Sequence, residues 1–262
     1  MVRLLDARTG SYTEIRPFRQ GIVRLCAHVA ENRSDVDAGT VRVLLTADVL
    51  ARVVEMRGAQ ALTALSFYGW SPQWAMAVER CVHALGMHPP AVSASSRDVH
   101  AGPDGPIDVH ILRLGALADS RDGLLLHVAA AHVADDHGTE ASVQDLTALD
   151  DPLALRLALL SVPLGRQADL TKAALIDATR TLTSLRRSVA EWAESRSAPV
   201  PAHVAASMRA AFDDLDTAAV VALLGSLATD ATMPAGAGFE AVAYADRVLG
   251  LELTREIGRP RR

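Results

Sequence analysis

The chain has 262 residues, 50% of them hydrophobic, which is enough to bury the core of one large domain or two small ones. Its net charge of −5 and pI near 6.0 argue against a globally basic nucleic-acid binder. No uncharged apolar run approaches the roughly 18 residues of a membrane span, the opening residues hold no apolar leader, and two cysteines imply no disulfide framework, so a cytoplasmic setting is expected.

Residues 3–17 read as a short strand and turn, and residues 22–29 as a better strand. Residues 41–57 place Leu44, Leu45, Val49, Val53 and Met56 close to helical spacing, with Gly58 as a stop. A strand is expected at 61–67. A helix follows at 72–85, entered through Ser71-Pro72 and closed by Gly86 and Pro89-Pro90. This β-α-β-α order argues for a parallel α/β sheet. Residues 91–106, rich in Ser, Gly and Pro, read as a loop, and strands are expected at 107–112 and 124–130. From Ser142 the character changes to amphipathic helices at 152–160, 170–192, 202–213, 217–227 and 239–251. The fold class is therefore α/β, a Rossmann-like (HUP-type) parallel-sheet domain over 1–141, followed by an α-helical bundle domain over 142–262.

Several stretches, in order, resemble the cysteinyl-tRNA synthetase family and its relative, the cysteine ligase of mycothiol biosynthesis, both class I synthetase-like. They are Leu4-Leu5-Asp6 through Ile22-Val23-Arg24-Leu25-Cys26, Ala47-Asp48-Val49-Leu50-Ala51-Arg52 to Met56-Arg57-Gly58, Cys81-Val82-His83-Ala84-Leu85-Gly86-Met87-His88-Pro89-Pro90, and Val143-Gln144-Asp145-Leu146 with Asp151-Pro152-Leu153-Ala154-Leu155-Arg156-Leu157. Phe212-Asp213-Asp214-Leu215-Asp216-Thr217 is similar to the family's acidic corner, and Asp246-Arg247-Val248-Leu249-Gly250 to its closing helix. The middle third is much shorter than the family's.

The resemblance implies an ATP site at the start of the helix near residue 38, where the family carries His-Ile-Gly-His. Counting back from Asp48, Asp37 and Thr40 stand at the two histidine positions, and Gly39 keeps the glycine. The family's histidines donate to phosphate as negative charge builds. A carboxylate has the wrong sign: two charges 4 Å apart interact by roughly 4 kcal/mol at an effective dielectric of 20. Asp37 reads instead as a helix cap, and the backbone amides of that helix start could still hold an anion. Arg42 is the one positive group beside the signature. His127 aligns with a family strand histidine near the adenine pocket. The family's Lys-Met-Ser-Lys-Ser loop falls on His132-Val133-Ala134-Asp135-Asp136, without either lysine, and Lys172 is the only lysine in the chain. Read by themselves, His132, Asp135, Asp136 and His137 form a solvated polar turn. Cys26 matches the family's first zinc ligand, but the later ligands of that site have no counterpart. A lone buried cysteine otherwise behaves as a small hydrophobe. His28, His83, His88, His100 and His110 read as structural, Trp70 and Trp74 as packing at a helix entrance, and Arg180, Arg186 and Arg187 as a solvated helix face.

Asp37, Gly39, Thr40, Arg42, Asp48 and His127 are thus the candidate nucleotide-binding positions and Cys26 the candidate metal position. Loss of the histidine signature, the lysine loop and most of the zinc site together points to a degenerate, non-catalytic paralogue acting as a binding or partner protein. Its partner would be a related synthetase or ligase, or a second copy of itself. The alternative is a divergent ATP-dependent aminoacyl (cysteine) ligase. ATP and zinc are the cofactors the resemblance implies, and the acidic charge disfavours tRNA.

Overall fold

The computed structural model describes residues 2–17, 21–30, 36–69, 71–95, 106–116, 122–134 and 150–259. A hairpin opens the chain, β1 (Arg3–Asp6) with β2 (Ser11–Glu14). Then follow β3 (Ile22–Ala30), α1 (Ala38–Met56), β4 (Gln60–Tyr68), α2 (Pro72–Ala84), β5 (Val92–Ser95), β6 (Val109–Arg113) and β7 (Leu124–Val128). The five strands β3 to β7 form one parallel sheet, ordered β5-β4-β3-β6-β7. The expected Rossmann-like sheet is therefore present. The chain runs outward from β3 through β4 to β5, then returns to lay β6 on the other side of β3. This reversal creates a crevice at the carboxyl ends of β3 and β6, the place where open α/β sheets bind ligands.

α1 fills one face of the sheet. Asp37 caps it, its Oδ1 accepting from the Thr40 amide at 2.6 Å. The helix is apolar nearly all round and buried along most of its length, as a central helix must be. Leu25, Ala27, Val29, Leu65, Val109 and Ile111, alternate residues of the three middle strands, meet it in the main core. α2 starts at the Ser71 cap with Pro72 in its first turn, and Trp74, 1% exposed, packs into the same core as expected. Trp70 lies outside the described residues.

Downstream come β8 (Ala131–Ala134), α3 (Leu153–Leu160), β9 (Ala168–Thr171), α4 (Lys172–Trp192), α5 (Ala202–Asp213), α6 (Thr217–Thr229) and α7 (Ala235–Leu249). The second half is helical, as its periodicity predicts. Four short features depart from the sequence reading. β5 occupies part of the expected loop. β8 and β9 pair in parallel with each other, His132 to Asp169, where a polar turn and a helix start were expected. α7 begins at Ala235, several residues early, because Gly236 and Gly238 sit inside its first turns where the sequence suggested a break. The 141/142 boundary, Val143-Gln144-Asp145-Leu146, Asp135, Asp136, His137 and His100 lie outside the described residues. One continuous apolar core runs from Val2 to Leu253 through both halves.

Candidate functional site

The crevice beside β3 and β6 is the candidate site. Asp37 follows β3, Gly39 and Thr40 open α1, and Arg113 ends β6, so the topology brings all four to one place. Besides the Thr40 amide, Asp37 Oδ1 accepts from Arg113 Nη2 at 2.5 Å. Burial pushes the Asp37 carboxyl upward, yet hydrogen bonds from Arg113 and the Thr40 amide, with the guanidinium charge, bring it below its ordinary 3.8. The Arg113 guanidinium lies over Gly39: a Cβ on that glycine would stand 2.6 Å from Nη2 and 2.7 Å from Cζ. The helix start that would present amides to a phosphate is thus taken by an internal carboxylate, and the space above the glycine by an internal cation.

Arg42, one turn further along α1, is 1% exposed. Its guanidinium donates to the carbonyls of Ala129, Ala130, Val162, Pro163 and Arg166 at 2.6–3.2 Å. Burial lowers its pKa to about 10, which leaves it charged at neutral pH. It ties α1 to the ends of β7 and α3 and is spent there. Asp48 is equally committed. Its Oδ2 receives Arg156 Nη2 at 2.6 Å and Arg52 Nε at 3.0 Å, while Oδ1 receives the His88 amide at 2.9 Å. Arg156, fully buried, also donates to Leu85 O at 2.9 Å and Leu249 O at 2.5 Å. Of Arg42 and Asp48, only Arg42 keeps a spare polar atom, its buried Nε, which has no hydrogen-bond partner among the described residues. Arg186 is a correction to the sequence reading. Rather than lying on a solvated face, it is 3% exposed and bonds Asp151, Leu251 O and Glu252 O.

The sheet face opposite α1 has a different character. Both faces of a parallel sheet are ordinarily apolar, yet here Arg24, Cys26, His28, Ser66, Asp108 and His110 alternate with the core residues. All but His28 are buried. Cys26 pairs in register with His110 across β3 and β6, and His28 with Ser66 across β3 and β4. One donor atom each from Cys26, His28 and His110 lies within 4.8 Å of the others. His28 Nε2 and His110 Nδ1 are 2.8 Å apart, in hydrogen-bond contact. Burial drives the Cys26 thiol up to about 12, a backbone hydrogen bond from Ser66 offsetting part of the effect. The resemblance implies zinc at Cys26, and a thiol with two imidazoles is a donor set that fits zinc. Cys81 packs in the main core, away from this set. His127 stands two strands from Cys26, on β7, with a buried Nε2 that has no hydrogen-bond partner among the described residues.

The sequence reading missed Arg113, His28 and His110. Alternation along β3 puts Cys26 and His28 on one face and was a usable signal. The placement of β6 beside β3, which supplies His110 and Arg113, was not visible locally. His132, in the position of the lysine loop, is exposed on β8.

No family model matches the chain, and no curated protein matches it in sequence. Solved structures do resemble it. Arginyl-tRNA synthetase of Thermus thermophilus superposes with a TM-score of 0.56 at 10% identity, covering 95% of this chain and 84% of that one. A Campylobacter jejuni protein described as an arginyl-tRNA synthetase gives 0.55 at 9%, covering 90% and 91%. The Plasmodium falciparum arginyl-tRNA synthetase gives 0.52 at 7%, covering 89% and 76%. At such identities the likeness is one of fold: a Rossmann-like sheet followed by helices, arranged as in class I aminoacyl-tRNA synthetases.

Proposed function

We propose that the chain is a class I synthetase-like protein of the cysteinyl type that no longer forms an aminoacyl adenylate and serves as a binding or partner protein. The single observation that carries this reading is the Asp37–Arg113 pair seated on Gly39. Adenylate formation needs cationic or neutral donors aimed at a phosphate whose charge increases in the transition state. Here the Thr40 amide at the helix start already serves a carboxylate, and the nearest guanidinium is neutralised by it. Arg42, the other cation beside the signature, is held by five carbonyls. Lys172 begins α4, so the lysine loop has no replacement from that residue type. The cysteinyl assignment rests on the sequence stretches, and the fold likeness supports the broader class. The proposed partner is a related synthetase or ligase, or a second copy.

ATP–pyrophosphate exchange with each of the twenty amino acids tests the proposal. No exchange above a protein-free blank is expected with any of them, and amino-acid-dependent exchange contradicts the reading. A second reading, a divergent ligase using the same crevice, draws on one observation: the buried Nε2 of His127, which has no partner among the described residues. Exchange that falls on His127→Ala substitution favours it.

A further inference from the structure

We propose that Cys26, His28 and His110 form a binding site for one zinc-class divalent ion on the sheet face opposite α1. The proposal does not depend on the state of the Gly39 crevice. Only Cys26 is shared with the zinc site that the resemblance implies. The other two donors are strand residues that the register of this sheet brings to it.

The first argument is placement. Cys26 and His28 are two apart on β3, and His110 is the direct neighbour of Cys26 on β6. The three side chains therefore leave the sheet on the same face from adjacent positions. They stand on rigid, hydrogen-bonded strands, which hold a coordination set more accurately than loops do.

The second argument is distance. Tetrahedral zinc has bonds of about 2.3 Å to sulfur and about 2.0–2.1 Å to nitrogen, which sets the two nitrogens about 3.4 Å apart. The two rings now touch at 2.8 Å and the whole set spans 4.8 Å. An opening of about half an ångström between the rings, with a closure of about 1.2 Å along the longest separation, completes the geometry.

The third argument is chemistry. A buried neutral thiol beside two imidazoles is a poor core. Among the described residues Cys26 clusters with Ile107 and Ala64, in a small cluster separate from the main one. A divalent cation would replace the thiol proton, leaving a thiolate paired with a local charge of two. Sulfur and imidazole donors together select a zinc-like ion over calcium or magnesium. Three protein ligands leave a fourth position for water or a small ligand.

Cobalt(II) titration of chelator-treated protein tests the site, because cobalt takes zinc's geometry and is visible. One equivalent should bring a near-ultraviolet thiolate-to-cobalt band and strong visible bands of four-coordinate cobalt, all erased by one equivalent of zinc. Cys26→Ser should remove the near-ultraviolet band, while Cys81→Ser should keep it. His28→Gln and His110→Gln should each weaken cobalt binding by more than the roughly 10–100-fold that loss of an outer-shell partner costs. The two histidine variants keep the test decisive if Cys26→Ser fails to fold. A wild-type titration without a thiolate band overturns the proposal. So does a band that survives both histidine changes or vanishes with Cys81→Ser.

Discussion

Two of the arginine–carboxylate pairs along α1 differ in kind. At its first turn, Arg113–Asp37 is partly exposed, with 36% and 25% of the two side chains accessible. Eleven residues on, Arg156–Asp48 is buried, at 0% and 2%. The buried pair is where the family-like stretches converge. Asp48 comes from the second stretch, Leu85 from the third, Arg156 from the fourth and Leu249 from the closing helix, and one guanidinium joins them all. The acidic corner is also structural: Asp213 holds Arg57 at 2.8 Å, Asp214 holds Arg3 at 2.6 Å, and Asp216 caps α6. The residues that carry the resemblance are thus largely those that fasten the sheet half to the helical half. At the first turn of α1, Asp37 and Arg113 satisfy each other instead.

The largest effect should come from the buried pair. Asp48→Asn leaves Arg156 charged without its counter-ion, and a loss of about 3–5 kcal/mol in unfolding free energy is expected from urea titration. A change below 1 kcal/mol would show that the hub does not bind the halves. Arg42→Lys comes next. An ammonium has three donors and no planar fork, so several of the five carbonyls lose their partner, at a cost of roughly 2–3 kcal/mol. Equal stability of the lysine variant would deny the clamp.

At the first turn the effects should be smaller. Asp37→Asn keeps a capping side chain but loses the charge pair, costing about 0.2–1 kcal/mol at neutral pH. The folded carboxyl titrates below its ordinary 3.8, so its contribution is complete above that value and is lost as pH falls through the lower folded value. Urea midpoints of wild type and Asp37→Asn should therefore converge below about pH 3.8, and a gap that persists in acid would remove Asp37 ionisation as its cause. Gly39→Ala should be smallest. The new Cβ displaces only the flexible end of Arg113, and alanine's gain in helix propensity of up to about 1 kcal/mol offsets the disturbance. A cost beyond about 2 kcal/mol would mean that the guanidinium is locked in place.

The comparison also bears on what a sequence discloses. The long elements were legible because their apolar residues repeat at 3.6 or 2 residues over ten or more positions, and Asp37 was legible as a cap because capping is local. β5, β8 and β9 were not, since four residues carry too little periodicity and their pairing comes from distant partners. Arg42 read as an anion ligand, Arg186 as surface charge and Arg156 only as part of a family-like stretch, because arginine type says nothing about burial. The carbonyls that hold them lie up to 124 residues away. Arg113 escaped notice for the same reason: only the return of β6 to the side of β3 sets it above Gly39. The polar sheet face was half legible, Cys26 and His28 from alternation alone, and His110 only from the sheet order.

The central claim is that the crevice at Gly39 is filled by the chain's own ion pair. Calorimetric titration of magnesium-ATP into the wild-type protein and into Arg113→Ala tests it most directly. No saturable heat is predicted for the wild type. Saturable binding to the wild type, with an affinity unchanged by removing Arg113, would contradict the account.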